Sequence, residues 1–454
     1  MWSRLFFFLF ILGFYNVYAQ TFVEPCGQVG VIESLEKQYP GFKQNYNQQY
    51  LSAISSSKTI GKRKKNIRDT MYYYDTVYTV PVVFHVLYNN SSENINDSLI
   101  LNQLEVLNQD FRRRNSDTVL TRSFFKDRAA DVRIQFVFAD KDPNGNPTNG
   151  IVRKQTGVTS FGRANGSINN NMKSSSTAGD DPWNPKKYVN VWVCDLSSNG
   201  QDALLGFAYP PFGHPSWTQN SWVGDANQGV VLHYKVVGRN NPLSVGGALG
   251  LSDKGRVAVH EFGHYFGLRH IWADDQFSAN RCLVDDYIDD TPKQGTGSNF
   301  TCYATRNTCI DLVDDLPDMV ENYMDYSTHA CQNMFTKQQS QMMLVALTNY
   351  RPSLIVKKEV EVRSRIFDTV IYDQILILPQ NPQRELVIEV TNEDLLENVS
   401  VEVYNSIGQL IISNTILQNN ETIFPSMRFS TGVYVVVIKK SDGSFARKQK
   451  IFFD

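Results

Sequence analysis

Residues 257–270 read VAVHEFGHYFGLRH, and this stretch decides how the rest of the chain is interpreted. It contains His260, Glu261, His264, Gly267 and His270 in the pattern HExxHxxGxxH. On an α-helix, residues four apart differ by about 400° of rotation and about 6 Å of rise, so the first two histidines face the same way. Gly267 permits the left-handed conformation that ends a helix and turns the chain. The pattern therefore predicts a metal site in which His260, His264 and His270 are the ligands.

The same stretch predicts hydrolytic chemistry. Three histidines leave the fourth tetrahedral position of Zn²⁺ to water, whose pKa falls to about 7. Glu261 follows the first ligand by one residue, where it can take the proton of that water without binding the metal. A closed structural zinc site has no use for such a base. We therefore expect a catalytic zinc site that hydrolyses peptide bonds, with Glu261 as the general base.

The extended motif resembles that of the metzincin metallopeptidases, and residues 80–354 are similar to the pappalysin family within that clan. The resemblance implies an α+β catalytic domain, with a twisted mixed sheet and a zinc-binding helix, that cleaves protein or peptide substrates internally. In the segment ENYMDYS, it implies that Met324 forms a floor beneath the zinc and that Tyr326 stabilises the oxyanion. The alternative is an inactive surface adhesin that keeps the zinc domain as a scaffold, which an intact Glu261 disfavours.

Four cysteines follow the motif: Cys282, Cys302, Cys309 and Cys331. Four cysteines allow three disulfide pairings, and the sequence alone does not choose between them. Their spacing contains no CxxC pair, which disfavours a second, Cys₄ zinc site. The resemblance to pappalysins implies the pairs Cys282 with Cys309 and Cys302 with Cys331.

Residues 285–292 read DDYIDDTP and resemble the calcium-binding loop of the same family. Carboxylate and hydroxyl oxygens suit Ca²⁺, and the resemblance implies that Asp286 and Thr291 supply side-chain ligands. Relatives that prefer basic residues carry Asp just before the last cysteine, whereas this chain has Ala330. A preference for Arg or Lys is therefore not implied here. Residues 204–209 resemble the strand at the upper rim of the cleft, which holds substrate in an extended form.

The N-terminus predicts export and latency. Residues 1–19 combine Arg4, an apolar run and Ala19 at the expected cut, which is typical of a secretory signal peptide. The apolar run is shorter than the about 20 residues of a spanning helix, so we expect no transmembrane segment in the mature protein. Residues 20–75 are interpreted as a pro-segment whose Cys26 resembles the cysteine switch of metzincin zymogens, a zinc ligand in the latent form. A disulfide between Cys26 and Cys194 is the alternative.

A basic run at the end of the pro-segment has two interpretations. Lys62, Arg63, Lys64, Lys65 and Arg68 lie between the export signal and the first strong strand. They form either a solvated stretch or the site at which a trypsin-like protease cuts.

The remaining sequence divides into a catalytic domain, a linker and an export domain. Strand patterns at 79–88, 132–138, 189–193 and 230–237, with a helix carrying Ile100, Leu104, Leu107 and Phe111, predict α+β structure for residues 76–355. Residues 356–370 are expected to be a linker. Short β-rich runs then predict an all-β sandwich at 371–454.

This last domain resembles the sorting domains of the type IX (Por) secretion system of Bacteroidetes. The segments that carry the resemblance are LPQNP at 378–382, VYNSIGQ at 403–409, STGVY at 430–434 and KQKIF at 448–452. It implies contact with the secretion machinery and an extracellular or cell-surface location. A carbohydrate- or protein-binding module is the alternative.

Composition excludes other classes of function. The 454 residues contain 44 Lys and Arg against 46 Asp and Glu, a net charge of −2, which lacks the basic excess of nucleic-acid-binding proteins. The apolar fraction of 42% is that of an ordinary globular protein. No motif surrounds His85, His214, His233 or His329, so we expect these four to be structural.

Overall fold

The computed structural model of the chain describes residues 23–64, 72–213, 226–274, 281–311, 315–364, 375–380, 383–390, 399–417, 421–425, 428–440 and 446–453. The predicted signal peptide, Lys65, Arg68, His214 and the end of the predicted linker (365–370) lie outside the described residues. Within the part that is described, we find no helix with the length and apolar character needed to cross a bilayer.

The described helices and strands follow the chain in a mixed order. The helices are α1 (Gln28–Gln38), α2 (Phe42–Lys64), α3 (Asp97–Phe111), α4 (Ser123–Lys126), α5 (Gly247–Gly250), α6 (Arg256–Tyr265) and α7 (Lys337–Val345), which runs into a π-helical turn at Ala346–Tyr350. The strands are β1 (Tyr72–Tyr88), β2 (Ala129–Ala130), β3 (Ile134–Phe138), β4 (Ile151–Gln155), β5 (Val189–Cys194), β6 (Gly206–Ala208), β7 (Val230–His233), β8 (Phe335–Thr336), β9 (Lys357–Ser364), β10 (Ile375–Gln380), β11 (Glu385–Val390), β12 (Val399–Asn405), β13 (Leu410–Ile416), β14 (Glu421–Phe424), β15 (Gly432–Lys440) and β16 (Ala446–Phe453).

A seven-stranded mixed sheet forms the centre of the catalytic region. Its main order is β3-β1-β5-β7-β6, and β4 and β9 also pair with β1. Strands β3, β4 and β5 run parallel to β1, and β7 runs parallel to β5. Strand β6, at the edge, is antiparallel to β7. The run VPVVFHV of β1 is buried throughout, as expected for a strand covered on both faces. This arrangement confirms the predicted α+β architecture.

The predicted linker is partly a strand. Residues 357–364 pair antiparallel with the first half of β1, from Thr79 back to Tyr72. Strand β1 therefore begins at Tyr72, before the predicted start of the catalytic domain at residue 76, and β9 extends into the predicted linker as far as Ser364. Pairing between two segments so far apart along the chain leaves no local signal, which is why the sequence alone did not indicate it.

Helix α3 follows its predicted pattern. The side chain of Asn96 caps its N-terminus by accepting a hydrogen bond from the Ser98 amide at 2.9 Å. Its buried face carries Ile100, Leu107 and Phe111 and packs against β3 and α6. The strand predicted at 230–237 is shorter than expected, because β7 ends at His233 and a 3₁₀ turn follows at Tyr234–Val236.

The predicted pro-segment forms two helices that pack into the core of the central sheet. Its helices α1 and α2 are separated at Gly41, whose φ of 93° lies in the left-handed region that favours glycine. Val31, Leu35, Phe42 and Tyr50 belong to the same buried cluster as the central sheet. The pro-segment and catalytic domain therefore share one hydrophobic core.

The C-terminal region is all-β, as predicted. Strands β10, β11 and β14 form one sheet, and β13, β12, β15 and β16 form a second. Apolar side chains from both sheets, among them Ile388, Val401, Val436 and Phe453, form a buried cluster that is separate from the catalytic core. Two sheets that share an inner core are a β-sandwich.

Candidate active site

Helix α6 and the turn after it bring the three predicted metal ligands together. The helix is buried along its whole length and carries His260 and His264 on one face. The chain reverses at Gly267, whose φ is 92° and whose amide donates to the His264 carbonyl at 2.9 Å. As a result, the Nε2 atoms of His260, His264 and His270 lie 3.1 to 3.2 Å from one another.

The second nitrogen of each imidazole has a partner that fixes the ring. The Nδ1 atom of His260 lies 2.6 Å from the Tyr323 carbonyl oxygen, and that of His264 lies 2.8 Å from the Leu268 carbonyl oxygen. Asp274 pairs with Nδ1 of His270. Each Nδ1 can thus donate its proton, which leaves three Nε2 lone pairs directed at one point.

This geometry fits a zinc ion. A tetrahedral zinc ion with Zn–N distances of about 2.0–2.1 Å separates its nitrogen ligands by roughly 3.4 Å, close to the spacing found here. Burial, followed by the neighbouring imidazoles, lowers the pKa of His260 and of His264 well below the usual value. Both rings are therefore neutral near pH 7, the form that binds a metal.

Glu261 lies beside this group and is shielded from solvent. Its side chain is buried, and neither carboxylate oxygen meets hydrogen-bond geometry with a partner among the described residues. Burial raises its pKa well above that of an ordinary glutamate. Strand β6 passes close by, since a Cβ atom on Gly206 would lie 3.0 Å from Glu261 Cγ.

The Cys26 sulfur lies with the three histidines. Its Sγ and the histidine nitrogens all lie within 4.8 Å of one another, and the residue is buried and not disulfide-bonded. Cys194 is also a buried free cysteine, so the structure does not join Cys26 to Cys194. Burial, and then the neighbouring Glu261, raises the pKa of the Cys26 thiol. A cation between the histidines would reverse this preference in favour of the thiolate.

The residues around Cys26 extend the central sheet. The Glu24 amide donates to the Ala203 carbonyl at 2.8 Å, the Leu205 amide donates to the Glu24 carbonyl at 3.1 Å, and the Gly27 amide donates to the Gly206 carbonyl at 2.8 Å. Glu24 pairs with Leu204 in the parallel sense. The pro-segment therefore occupies the free edge of β6, and the segment predicted to hold substrate is covered.

A bidentate ion pair fastens this strand. Both Glu24 carboxylate oxygens accept hydrogen bonds from the Arg163 guanidinium, at 2.6 to 2.8 Å. Each partner is about a quarter exposed, so the pair is only partly screened by solvent.

Met324 and Tyr326 also lie close to the histidine group. Met324 is buried under α6, where a Cβ atom on Gly263 would lie 2.4 Å from its sulfur. The Tyr326 ring centroid lies 4.7 Å from that of His270 and 5.6 Å from that of His260. Burial raises the pKa of Tyr326 well above its usual value, so the phenol remains a hydrogen-bond donor.

Two disulfides stabilise the segment after the histidines. They join Cys282 to Cys309 and Cys302 to Cys331, the pairs that the family resemblance implies. All four sulfurs are thereby used, which excludes the alternative Cys₄ zinc site. Ala330 is exposed beside the last cysteine.

The predicted calcium ligands also lie together. Asp286 is buried, and its Oδ1 accepts hydrogen bonds from the Thr291 hydroxyl at 2.8 Å and from the Ile288 amide at 3.2 Å. Its Oδ2 is buried without a partner among the described residues. Burial raises the pKa of Asp286 well above the usual value.

The described histidines outside the motif have structural partners. His85 is buried between Asp180 at 2.7 Å and Asn190 at 3.0 Å. His233 contacts Asp202 at 2.9 Å, an interaction that, with Lys235, lowers the pKa of that carboxyl to about 2. His329, the third described histidine of this set, accepts a hydrogen bond from the Lys254 amide at 3.1 Å.

Sequence reasoning missed the groups that orient the ligands. Asp274 follows His270 by four residues, a spacing that could have identified it. The Tyr323 and Leu268 carbonyls carry no sequence signal, because any residue supplies a backbone oxygen.

Comparisons with known proteins agree with this site. The profile of a family described as pregnancy-associated plasma protein-A matches residues 245–348, and that of a secretion system C-terminal sorting domain matches residues 379–452. An extracellular metalloprotease of Arthroderma benhamiae is 27% identical over 274 residues, which cover 60% of this chain and 73% of that protein.

Solved structures extend the agreement to the fold. Mature mirolysin of Tannerella forsythia, in complex with a cleaved peptide, is 39% identical with a TM-score of 0.53, over 62% of this chain and 96% of that one. A promirolysin mutant of the same organism is 34% identical with a TM-score of 0.58, over 73% of this chain and 97% of that one. The chain belongs to the pappalysin family of zinc metalloproteases, and its type IX sorting domain makes it a secreted or cell-surface member.

Proposed function

We propose that the chain is an endopeptidase in which Glu261 is the general base and His260, His264 and His270 hold the catalytic zinc. The observation that carries this proposal is the position of Glu261: a buried carboxylate, beside three converging imidazole nitrogens and the Cys26 thiol, whose oxygens meet full hydrogen-bond geometry with no described residue. A structural carboxylate in such a place would be paired, because an unsatisfied buried charge is costly.

The residues around the metal divide the work of peptide hydrolysis. Zinc, when bound, supplies a Lewis acid that polarises the scissile carbonyl and activates water. Glu261 accepts a proton from the attacking water and transfers it to the leaving amine, a task favoured by its raised pKa. Tyr326 donates a hydrogen bond to the carbonyl oxygen as it gains negative charge.

The edge of β6 supports internal cleavage of extended chains. A strand with free amides and carbonyls binds a peptide through its backbone, whatever the side chains. The pro-segment already uses this edge through Glu24 and Gly27. We therefore expect a substrate to occupy the same edge once the pro-segment has left.

The test of this function separates zinc binding from catalysis. Glu261→Gln in the chain freed of its pro-segment by trypsin should retain zinc and lose about two to four orders of magnitude in the rate of cleaving denatured protein, since a general base contributes 10²–10⁴-fold. Glu105→Gln, at an exposed position on α3, is the matched control and should retain full activity. An active Glu261→Gln enzyme would refute the assignment. Zinc-loaded wild-type chain without any cleavage would instead favour the adhesin alternative.

We also propose that the described form is latent, with Cys26 as the zinc ligand that takes the place of water. The thiol lies within 4.8 Å of the histidine nitrogens, and its flanking residues cover the edge of β6. Latency thus rests on two kinds of contact. The Cys26 thiol occupies the place of water on the metal, and its flanking residues occupy the edge of β6 at which we expect substrate to bind.

The acidic loop at 285–291 is proposed to bind Ca²⁺ through Asp286 and Thr291. The buried, unpartnered Oδ2 of Asp286 supports this, because a buried carboxylate needs either a proton or a cation. Hard oxygen ligands on a short turn suit calcium.

A further inference from the structure

Helix α2 of the pro-segment contacts the catalytic domain at a surface that Cys26 does not touch. The rings of Tyr50 and Tyr46 lie against the guanidinium of Arg269, with the Arg269 Cζ atom 4.0 and 4.5 Å from the two ring centroids. The Arg269 Nη2 donates to the Asn47 side-chain oxygen at 2.6 Å. Arg269 precedes the zinc ligand His270, so α2 is attached beside the active site by cation–π contacts and a charged hydrogen bond.

The same helix reaches the proposed calcium loop. The Tyr50 hydroxyl donates a hydrogen bond to the main-chain carbonyl of Asp286 at 2.6 Å. Tyr50 is completely buried, so its hydroxyl would be an unsatisfied donor if that carbonyl moved away. Two turns further along α2, the Lys58 amino group pairs with Asp289 at 2.7 Å. This second pair is exposed and adds little stability by itself.

Two oxygen atoms of Asp286 therefore each need a partner. The main-chain carbonyl oxygen must stay in place to accept the hydrogen bond from the Tyr50 hydroxyl. The side-chain Oδ2 is buried and lacks a partner among the described residues. The turn that fixes both atoms is held by the bonds from Thr291 and Ile288 to Oδ1.

We propose that helix α2 and a divalent cation bind the same ordered form of loop 285–291, so that each strengthens the binding of the other. This inference rests on the proposed calcium site and goes beyond it. Without the cation, the buried and unpartnered Oδ2 of Asp286, surrounded by the acidic side chains of Asp285, Asp289 and Asp290, favours opening of the turn. Opening removes the acceptor of Tyr50.

The linkage has a consequence for latency. If docking of α2 raises the affinity for the cation by some factor, the cation must raise the affinity for α2 by the same factor. The pro-segment is then most firmly attached when the loop is loaded, and loss of the cation favours its release. The cation loop thereby regulates access to the active site without contacting the zinc ligands.

The experiment measures cation binding rather than catalysis. Full-length chains carrying Glu261→Ala are stripped of calcium, and the dissociation constant for Ca²⁺ is determined by competition with a chelator. Tyr50→Phe removes only the hydroxyl that reaches the loop and should raise this constant roughly three- to tenfold, the range for one hydrogen bond. Ser52→Ala, at an exposed position on the same helix, is the control and should leave it within about twofold. Asp286→Asn should abolish binding at the loop.

A second readout tests the reciprocal effect. Trypsin can cut α1 and α2 at Lys37, Lys43 and Lys58, and we expect Ca²⁺ to slow these cuts in the parent chain. The protection should be smaller in Tyr50→Phe by the same factor as the change in calcium affinity.

The outcomes separate the two proposals. If no chain binds Ca²⁺ in a manner that depends on Asp286, the calcium site is absent and the linkage is overturned with it. If the parent and Tyr50→Phe bind Ca²⁺ equally, the site stands and the linkage is overturned. Tighter binding by Tyr50→Phe would also overturn it, because the helix and the cation would then compete.

Discussion

Three groups orient the imidazoles of the predicted zinc ligands, and of these Asp274 is a side chain that a substitution can remove. It accepts from Nδ1 of His270, whereas the partners of the other two imidazoles are backbone carbonyls. Burial raises its pKa, but the neighbouring His270 outweighs this and brings the pKa of Asp274 below its usual value, so it is ionised at neutral pH. An ionised partner makes the ligand nitrogen more basic and holds the ring in place.

We therefore expect Asp274→Asn to weaken zinc binding by about 10- to 100-fold, the usual cost of losing such a partner. Zinc affinity is measured by chelator competition on the full-length chain. Asp253→Asn, on the turn before α6, is the control and should bind zinc like the wild type. Unchanged affinity in Asp274→Asn would mean that the ring is held in place by packing alone.

At the scale of elements, the contact between α6 and the segment beneath it depends on the absence of a side chain. A Cβ atom on Gly263 would lie 2.4 Å from the Met324 sulfur, and Met324 is completely buried. Gly263→Ala should therefore lower the free energy of unfolding by about 1–3 kcal/mol, as overpacking does, and weaken zinc binding because the helix shifts. Urea unfolding and zinc affinity are the measurements. Gly157→Ala, which has open space around it, is the control.

A double variant distinguishes this clash from a backbone effect. Gly263→Ala combined with Met324→Ala should lose less stability than the sum of the two single changes, because the smaller residue makes room for the new methyl group. Strictly additive losses would show that the sulfur is not what excludes the methyl group.

The extent to which sequence predicts structure also differs between elements. The positions of His260 and His264 follow from helix geometry alone, and a glycine at the helix end predicts the turn to His270. The extension of the sheet by β9 could not be predicted in this way, because its partner β1 lies at the other end of the catalytic region. The break between α1 and α2 is by contrast a local feature, because it depends on the left-handed conformation of Gly41, with a φ of 93°.

For the molecule as a whole, the proposed latency rests on a shared hydrophobic core as well as on one thiol. The helices of the pro-segment contribute buried side chains, among them Val31, Phe42 and Tyr50, to the core of the catalytic region. Three backbone hydrogen bonds to residues 203–206, at the start of β6, and the ion pair from Glu24 to Arg163 hold the segment that carries Cys26. None of these contacts depends on the sulfur.

Replacing the thiol should therefore open the zinc site only in part. In Cys26→Ser, water can reach the metal, so hydrolysis of a peptide substrate should exceed that of the untreated wild-type chain. It should stay roughly a hundredfold below that of trypsin-treated enzyme, because three hydrogen bonds of about 1 kcal/mol each still compete with substrate for β6. Trypsin should then raise both chains to the same rate, while Cys194→Ser, a change at the other buried free cysteine, should remain as latent as the wild type. If Cys26→Ser is fully active before trypsin, the thiol alone maintains latency and the strand contacts are incidental.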